Sequence, residues 1–162
     1  MWVEPGSLAP TIFELRWRQA VDRALNHWMQ LLPITLVADP ADAQVRIRRR
    51  RPPVVPGAGG RLRASHGRAT LVLETVERGA LTRVEPSVEV LLSPAQREAA
   101  IEATALHELG HAVVLWGHSD IATDAMAAVP GAQPVLELSS RDRATLRWLY
   151  GQSTGMGPFI DP

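Results

Sequence analysis

The stretch ATALHELGHAVVLWGHSD, Ala103 to Asp120, holds three of the chain's five histidines within twelve residues. His107 and His111 are four apart, so on a helix their rings leave the same face about one turn apart and can share one metal ion. Glu108 follows the first of them on a flank of that face, where a carboxylate can reach a water on the metal without being a ligand. His118 poses a geometric problem, because on an unbroken helix it would lie about 16 Å beyond His107. Only a reversal of the chain brings it back. Gly117, able to adopt positive φ, is the residue expected to supply that reversal.

Working outward, Ser93, Pro94 and Gln96 form a capping-box pattern, which predicts a helix from Pro94 to about Trp116, stopped by Gly117. Upstream, Trp17, Ala20, Ala24, Leu25, Trp28 and Leu32 recur at three and four residues, predicting an amphipathic helix over 11–32 that Pro33 closes. Short strands are expected at PITLVAD (33–39), AQVRIRR (43–49), RLRASH (61–66), RATLVLETV (68–76) and SVEVLL (87–92), with breaks at Gly67 and Gly79. RPPVVPGAGG (51–60) reads as a surface loop. Downstream, SSRDRATLRWLYG predicts a last short helix with Ser139 as N-cap, Asp142 three residues later and Gly151 beyond the end. The class is α+β, with no internal repeat.

A chain of 162 residues, 46% hydrophobic, supports one domain with a proper core. Seventeen basic residues, all arginine, balance seventeen acidic ones, so no net charge steers the protein to nucleic acid or an anionic membrane. There is no cysteine, which removes disulfides, thiolate ligands and thiol nucleophiles together. No apolar run nears the ~18 residues of a membrane span, and the N-terminus lacks a basic-then-apolar leader. The expectation is a cytoplasmic protein as the sequence stands, secreted if a leader was removed, and a monomer. The run RIRRRRPP from Arg46 raises nucleic-acid contact, but base-stacking aromatics are missing beside it, and a solvated strand end is the simpler reading.

HELGHAVVLWGHS resembles the zinc signature of the metzincin metallopeptidases, and within them the matrixins and matrixin-like bacterial proteases with their HELGHALGxWGHS pattern. Met126, eight residues after His118 in TDAM, matches their Met-turn. Residues 16–47 are similar to the family's first helix and following strands, and 138–151 to its last helix. The resemblance covers about residues 12 to 151. It implies a twisted mixed sheet with two long helices, an N-terminal subdomain over 1–117, and a small C-terminal subdomain over 118–162 with the Met-turn and one helix. It has departures. One extra residue separates His111 from the third histidine, Val114 replaces the family's glycine, and Ala127 replaces a common tyrosine. With no aspartate between Asp42 and Asp120, structural calcium is not expected.

The resemblance implies a zinc endopeptidase: one Zn2+ held by His107, His111 and His118, Glu108 as general base, and Met126 as a floor beneath the metal. The chemistry of three neutral imidazoles around an open tetrahedral position agrees with it. Asp120 and Asp124 are alternative carboxylate ligands. A peptide or protein substrate would lie along a strand edge, first choice Gly60 to His66 with Leu62, Ala64 and His66 in contact, second choice RATLVLETV. A pocket wall is expected from Thr104 to Leu109 and from AAVPGA (127–132), including Ala127 and Val129. His27 and His66 are not expected to bind metal. The alternative function is a zinc-containing peptide-binding domain without catalysis.

Overall fold

The first helix begins where its cap dictates. In the computed structural model, which describes residues 1–56, 62–78 and 81–153, Thr11 Oγ1 accepts from the Glu14 amide while the Glu14 carboxylate accepts from the Thr11 amide, opening α1 (Ile12–Met29). Its buried stripe is Trp17, Ala20, Val21, Ala24, Leu25 and Trp28, the predicted face. That stripe packs on α2 (Glu98–Ala112), whose buried side includes Ile101, Ala105, Leu106 and Leu109. The two buried tryptophans keep their indole N–H groups satisfied: Trp28 donates to Leu106 O at 3.1 Å and Trp17 to Leu92 O at 3.3 Å. Arg23 ties the helices together further by reaching Glu102 at 2.7 Å and Glu98 beside it.

The main sheet is mixed. β1 (Trp2–Val3), β2 (Val45–Arg48), β5 (Gly67–Arg78) and β6 (Leu81–Leu92) lie in the order β1-β2-β6-β5, the first two pairings parallel and the last antiparallel. β2 keeps its alternation, with Val45 and Ile47 buried and Arg46 and Arg48 only partly so. Between β2 and β5, a separate ribbon pairs β3 (Val55–Pro56) with β4 (Leu62–Arg63). With α3 (Ser140–Tyr150), the described residues form a four-stranded mixed sheet with three helices, an α+β architecture. α3 is opened by the expected box of Ser139 and Asp142 and ends at Gly151.

Three expectations change. The segment 33–39 is not a strand; β1 takes that place beside β2, with Glu4 N–H donating to Ile47 O at 2.9 Å and Trp2 and Val3 buried. Two residues are too few to show a period, which is why the pattern missed β1. The second helix starts at Glu98, not Pro94. Ser93 is buried and its amide donates to His66 O at 2.8 Å, so its hydroxyl braces a turn on the sheet, and the helix begins after Arg97 without a side-chain cap. The strand expected over 61–66 contributes only β4, outside the main sheet, which leaves β5 as the free edge near α2. Gly60 and Gly79 fall outside the described residues.

β5 and β6 run together well past the rest of the sheet, since β2 meets β6 only at Val88 to Leu91. Pro86 is tolerated within β6 for that reason. Its neighbour two residues on, Val88, directs its amide to Gln44 O on the β2 side at 2.7 Å, so by the two-residue alternation Pro86 lacks its N–H on the side where β2 has ended. The arginine run is mostly committed to the fold. Arg46 reaches Pro40 O and Ser87, Arg48 pairs with Glu89, and Arg49 with Glu14.

Candidate metal centre

α2 carries two imidazoles, and the way it ends delivers the third. Val113 is the C-cap, Val114 N–H donates to His111 O at 3.0 Å, and Leu115 N–H reaches back to Gly110 O at 2.9 Å. This is the Schellman arrangement, which needs a left-handed residue just after the cap, usually glycine. Here that residue is Val114, at φ 79°. The reversal therefore occurs at Val114, three residues before the expected Gly117, whose φ is not left-handed and whose added Cβ would meet nothing within 4 Å. The energetics explain the correction. A β-branched residue held left-handed costs about 2–3 kcal/mol, whereas the turn returns Leu115 to the core, 6% exposed, which contributes about 1.5–3 kcal/mol, and makes two reversed hydrogen bonds at about 0.5–1.5 kcal/mol each.

Beyond the turn, His118 comes back over the helix. The ring centroids form a nearly equilateral triangle: His107 to His111 4.8 Å, His107 to His118 5.2 Å, His111 to His118 4.9 Å. Their nitrogens lie within 4.8 Å of one another, so the three histidines could hold one metal ion. His107 Nδ1 lies 2.8 Å from Ala125 O and His111 Nδ1 2.7 Å from Leu115 O. A carbonyl only accepts, so each Nδ1 carries the proton and each Nε2 keeps its lone pair free, the orientation that metal-binding histidines need. Burial holds both rings neutral, lowering His107 and taking His111 from 6.5 to about 4 despite its bond to Leu115 O. Trp116 stacks on His111 at 5.5 Å.

The loop after His118 is pinned from two sides. Ser119 bridges to the 126–128 segment through Ser119 N–H to Met126 O at 2.7 Å and Ala128 N–H to Ser119 O at 2.9 Å. Asp142, 2% exposed at the start of α3, accepts from the amides of Ser139 (2.9 Å), Ala125 (2.9 Å) and Met126 (3.3 Å). Since Ala125 O holds His107, the cap of the last helix braces a candidate ligand through one residue. Met126 is buried, with its sulfur against Gly110, where a Cβ would overlap it.

Glu108 sits beside this triangle on the sheet side. Its Oε2 accepts the Ala69 amide from β5 at 2.8 Å. Gly67 allows the close approach: a Cβ there would lie 2.6 Å from Glu108 Cγ and 2.5 Å from Thr104 Cγ2. Burial raises the Glu108 carboxyl from 4.5 to about 7, against the opposing pull of the Ala69 amide and Arg68.

Neither aspartate alternative joins the cluster. Asp124 accepts from Ser119 Oγ at 2.6 Å and meets Arg141 at 3.4 Å, and the exposed Asp120 meets Arg141 at 3.5 Å. His27 and His66 also stand outside it. Of the residues expected at a substrate groove, Leu62 pairs with Pro56 in the small ribbon, Ala64, His66 and Val129 are exposed, and Ala127 is buried. A cavity of about 260 Å³ touches His118 and Met126 between the 115–120 loop and α3, but Glu108 does not line it. No described helix is long and apolar enough to cross a membrane.

Sequence reasoning missed Gly67, Ala69 and Asp142. Gly67 was read as a strand break and Asp142 as a cap. The cap holds, but the break falls at 64–66 and Gly67 is the first paired residue of β5; neither pattern records what the residue touches across the fold, and a backbone donor such as Ala69 N–H leaves no trace in a side-chain motif. No family model matches the chain, and no curated protein matches it either.

Proposed function

We propose that this protein is a zinc-dependent endopeptidase of the metzincin class, matrixin-like, in which His107, His111 and His118 hold one zinc ion and Glu108 is the general base. The observation that carries this reading is the imidazole triangle with two of its rings fixed through Nδ1, and a buried carboxylate adjoining it. Bound there, zinc would supply Lewis acidity toward a water and a peptide carbonyl. The chain's own residues do the rest. Ala69 N–H anchors one oxygen of Glu108, leaving the other to take a proton from water and pass it to the leaving amine. A group poised at about 7 suits both halves of that transfer. The free edge of β5 offers main-chain groups to an extended peptide beside Glu108. Met126 and Asp142 hold the floor and the His107 ligand in place.

The test is metal analysis of the purified protein together with cleavage of an unstructured protein, with and without a chelator. Glu108→Ala should retain zinc and lose hydrolysis by about 10²–10⁴-fold, the usual worth of a general base, whereas His111→Ala should lose both. Stoichiometric zinc without chelator-sensitive cleavage would favour the peptide-binding domain instead. A protein that takes up no zinc would overturn both readings.

A further inference from the structure

β5 is an outer strand of the main sheet, and no described strand pairs with its far side. It runs in unbroken register along β6 from Gly67 to Arg78, with no bulge, proline or lysine. Thr70 to Thr75 are all exposed, including Leu71 at 41%, Val72 at 48% and Leu73 at 59%. Long, exposed apolar edges associate, and a two-stranded ribbon by itself is marginal in water. Alternation says which main-chain groups are available. His66 O accepts from Ser93 on the β6 side and Ala69 N–H points away to Glu108, so the amides and carbonyls of Leu71 and Leu73 also face outward.

We propose that this edge pairs with the same edge of a second copy of the chain, antiparallel, about a twofold axis at Leu71. In that register Leu71 and its counterpart exchange two main-chain hydrogen bonds, and Ala69, whose amide stays with Glu108, faces Leu73 and accepts from its amide. Thr70 faces Val72, and Arg68 faces Glu74 in a non-hydrogen-bonded pair, where side chains stand closest. Charge complementarity selects this register. Among the described residues Glu74 carries no ion pair, and Arg68, which donates to Pro53 O at 3.0 Å and acts on Glu108 only through its field, has no salt bridge. Moving the axis to Leu73 sets Val72 against Glu74. Moving it to Ala69 sets Arg68 against Thr70, and neither shift brings Arg68 opposite Glu74. The result is a continuous eight-stranded sheet, and because each partner strand occupies the edge beside the other copy's Glu108, the dimer and an extended peptide compete for it, the monomer being the form that takes substrate. The dimer stands on edge geometry and charge, independently of any metal chemistry, and it replaces the expectation of a monomer.

Sedimentation velocity over a concentration series tests it. The parent should pass from monomer to dimer. Arg68→Glu and Glu74→Arg should each weaken dimerisation by about tenfold or more, since each sets like charges opposite one another at two symmetric positions, and the double variant Arg68→Glu/Glu74→Arg should regain most of the loss. Thermal midpoints within about 2 °C of the parent show that the variants remain folded. A parent that stays monomeric at every concentration overturns the proposal, whether or not it binds an extended peptide. So does a dimer indifferent to both single changes, or one that the double change fails to restore.

Discussion

Val114→Gly is expected to stabilise the metal-free protein, although it deletes a hydrophobic side chain. Val114 holds φ 79° at the left-handed position of the helix end, where a β-branched residue is an outlier; at the upper end of such strain the cost is about 2–3 kcal/mol. Glycine removes that cost but adds about 0.5–1 kcal/mol through the freedom it gives the unfolded chain. The side chain is 45% exposed, so deleting it gives up about half of a valine's ~1.5 kcal/mol of burial. The balance is a gain of about 0.5–1 kcal/mol. For a domain of this size that is a rise of about 1–4 °C in Tm, read by calorimetry or circular dichroism in chelator. Gly117→Val, by contrast, should shift Tm by less than about 1 °C and leave zinc affinity within about twofold, since its φ is ordinary and its Cβ would meet open space. If Val114→Gly lowered Tm while Gly117→Val cost the metal, the reversal would lie at Gly117 and the account of His118 would fail.

Gly67→Ala should leave zinc stoichiometry intact while lowering kcat by tenfold or more with little change in KM, because its methyl group displaces Glu108 and not the imidazoles; equal kcat for variant and parent would show that the close contact is incidental. Asp142→Ala should destabilise by about 2–3 kcal/mol and weaken zinc binding by about 10–100-fold, as it strips three amides and loosens the carbonyl that orients His107. An isothermal zinc titration that finds parental affinity would refute that link. For the metal-free protein, the pH dependence sets two groups in opposition. His111, lowered from 6.5 to about 4, contributes stability that is lost as pH falls through that window, while Glu108, raised from 4.5 to about 7, contributes stability that is lost as pH rises through its own. Each of these two shifts corresponds to about 3 kcal/mol, so Glu108 offsets most of what His111 loses, and the parent should lose only modest stability from pH 6.5 to 4.5, the remainder coming from His107, which burial also lowers. Glu108→Gln should expose a steep loss of stability on acidification across that range in urea titrations. A parent as acid-sensitive as the variant would contradict the opposition.

The candidate pair His107 and His111 is legible because helical spacing is a local property: the two share a face whatever surrounds them. α3 was legible to the residue, since Ser139, Asp142 and Gly151 act on the backbone immediately next to them. The start of α2 was misread for a physical reason. Ser93 has the chemistry of a cap, but its amide is taken by His66 O at the start of the neighbouring strand, and no local pattern reports that competition. Gly117 was preferred over Val114 on intrinsic φ preference alone, a term that the return of Leu115 to the core outweighs. The free edge passed from the first-choice segment to β5 because strand order is a property of the whole sheet, and the run from Leu71 to Leu73 has the same composition whether it lies at an edge or in the middle.

The carboxylate of Asp142 starts one helix and, through Ala125, aims a ring on another. During synthesis the chain emerges from its N-terminus, so all three histidines have left the ribosome before the residue that orients the first of them. A nascent chain can gather its imidazoles but cannot lock them. In the proposed zinc centre, competence for metal would therefore arrive late in translation, after the sheet and the first two helices have had time to pack, and an incomplete chain would hold only a loose cluster of imidazoles.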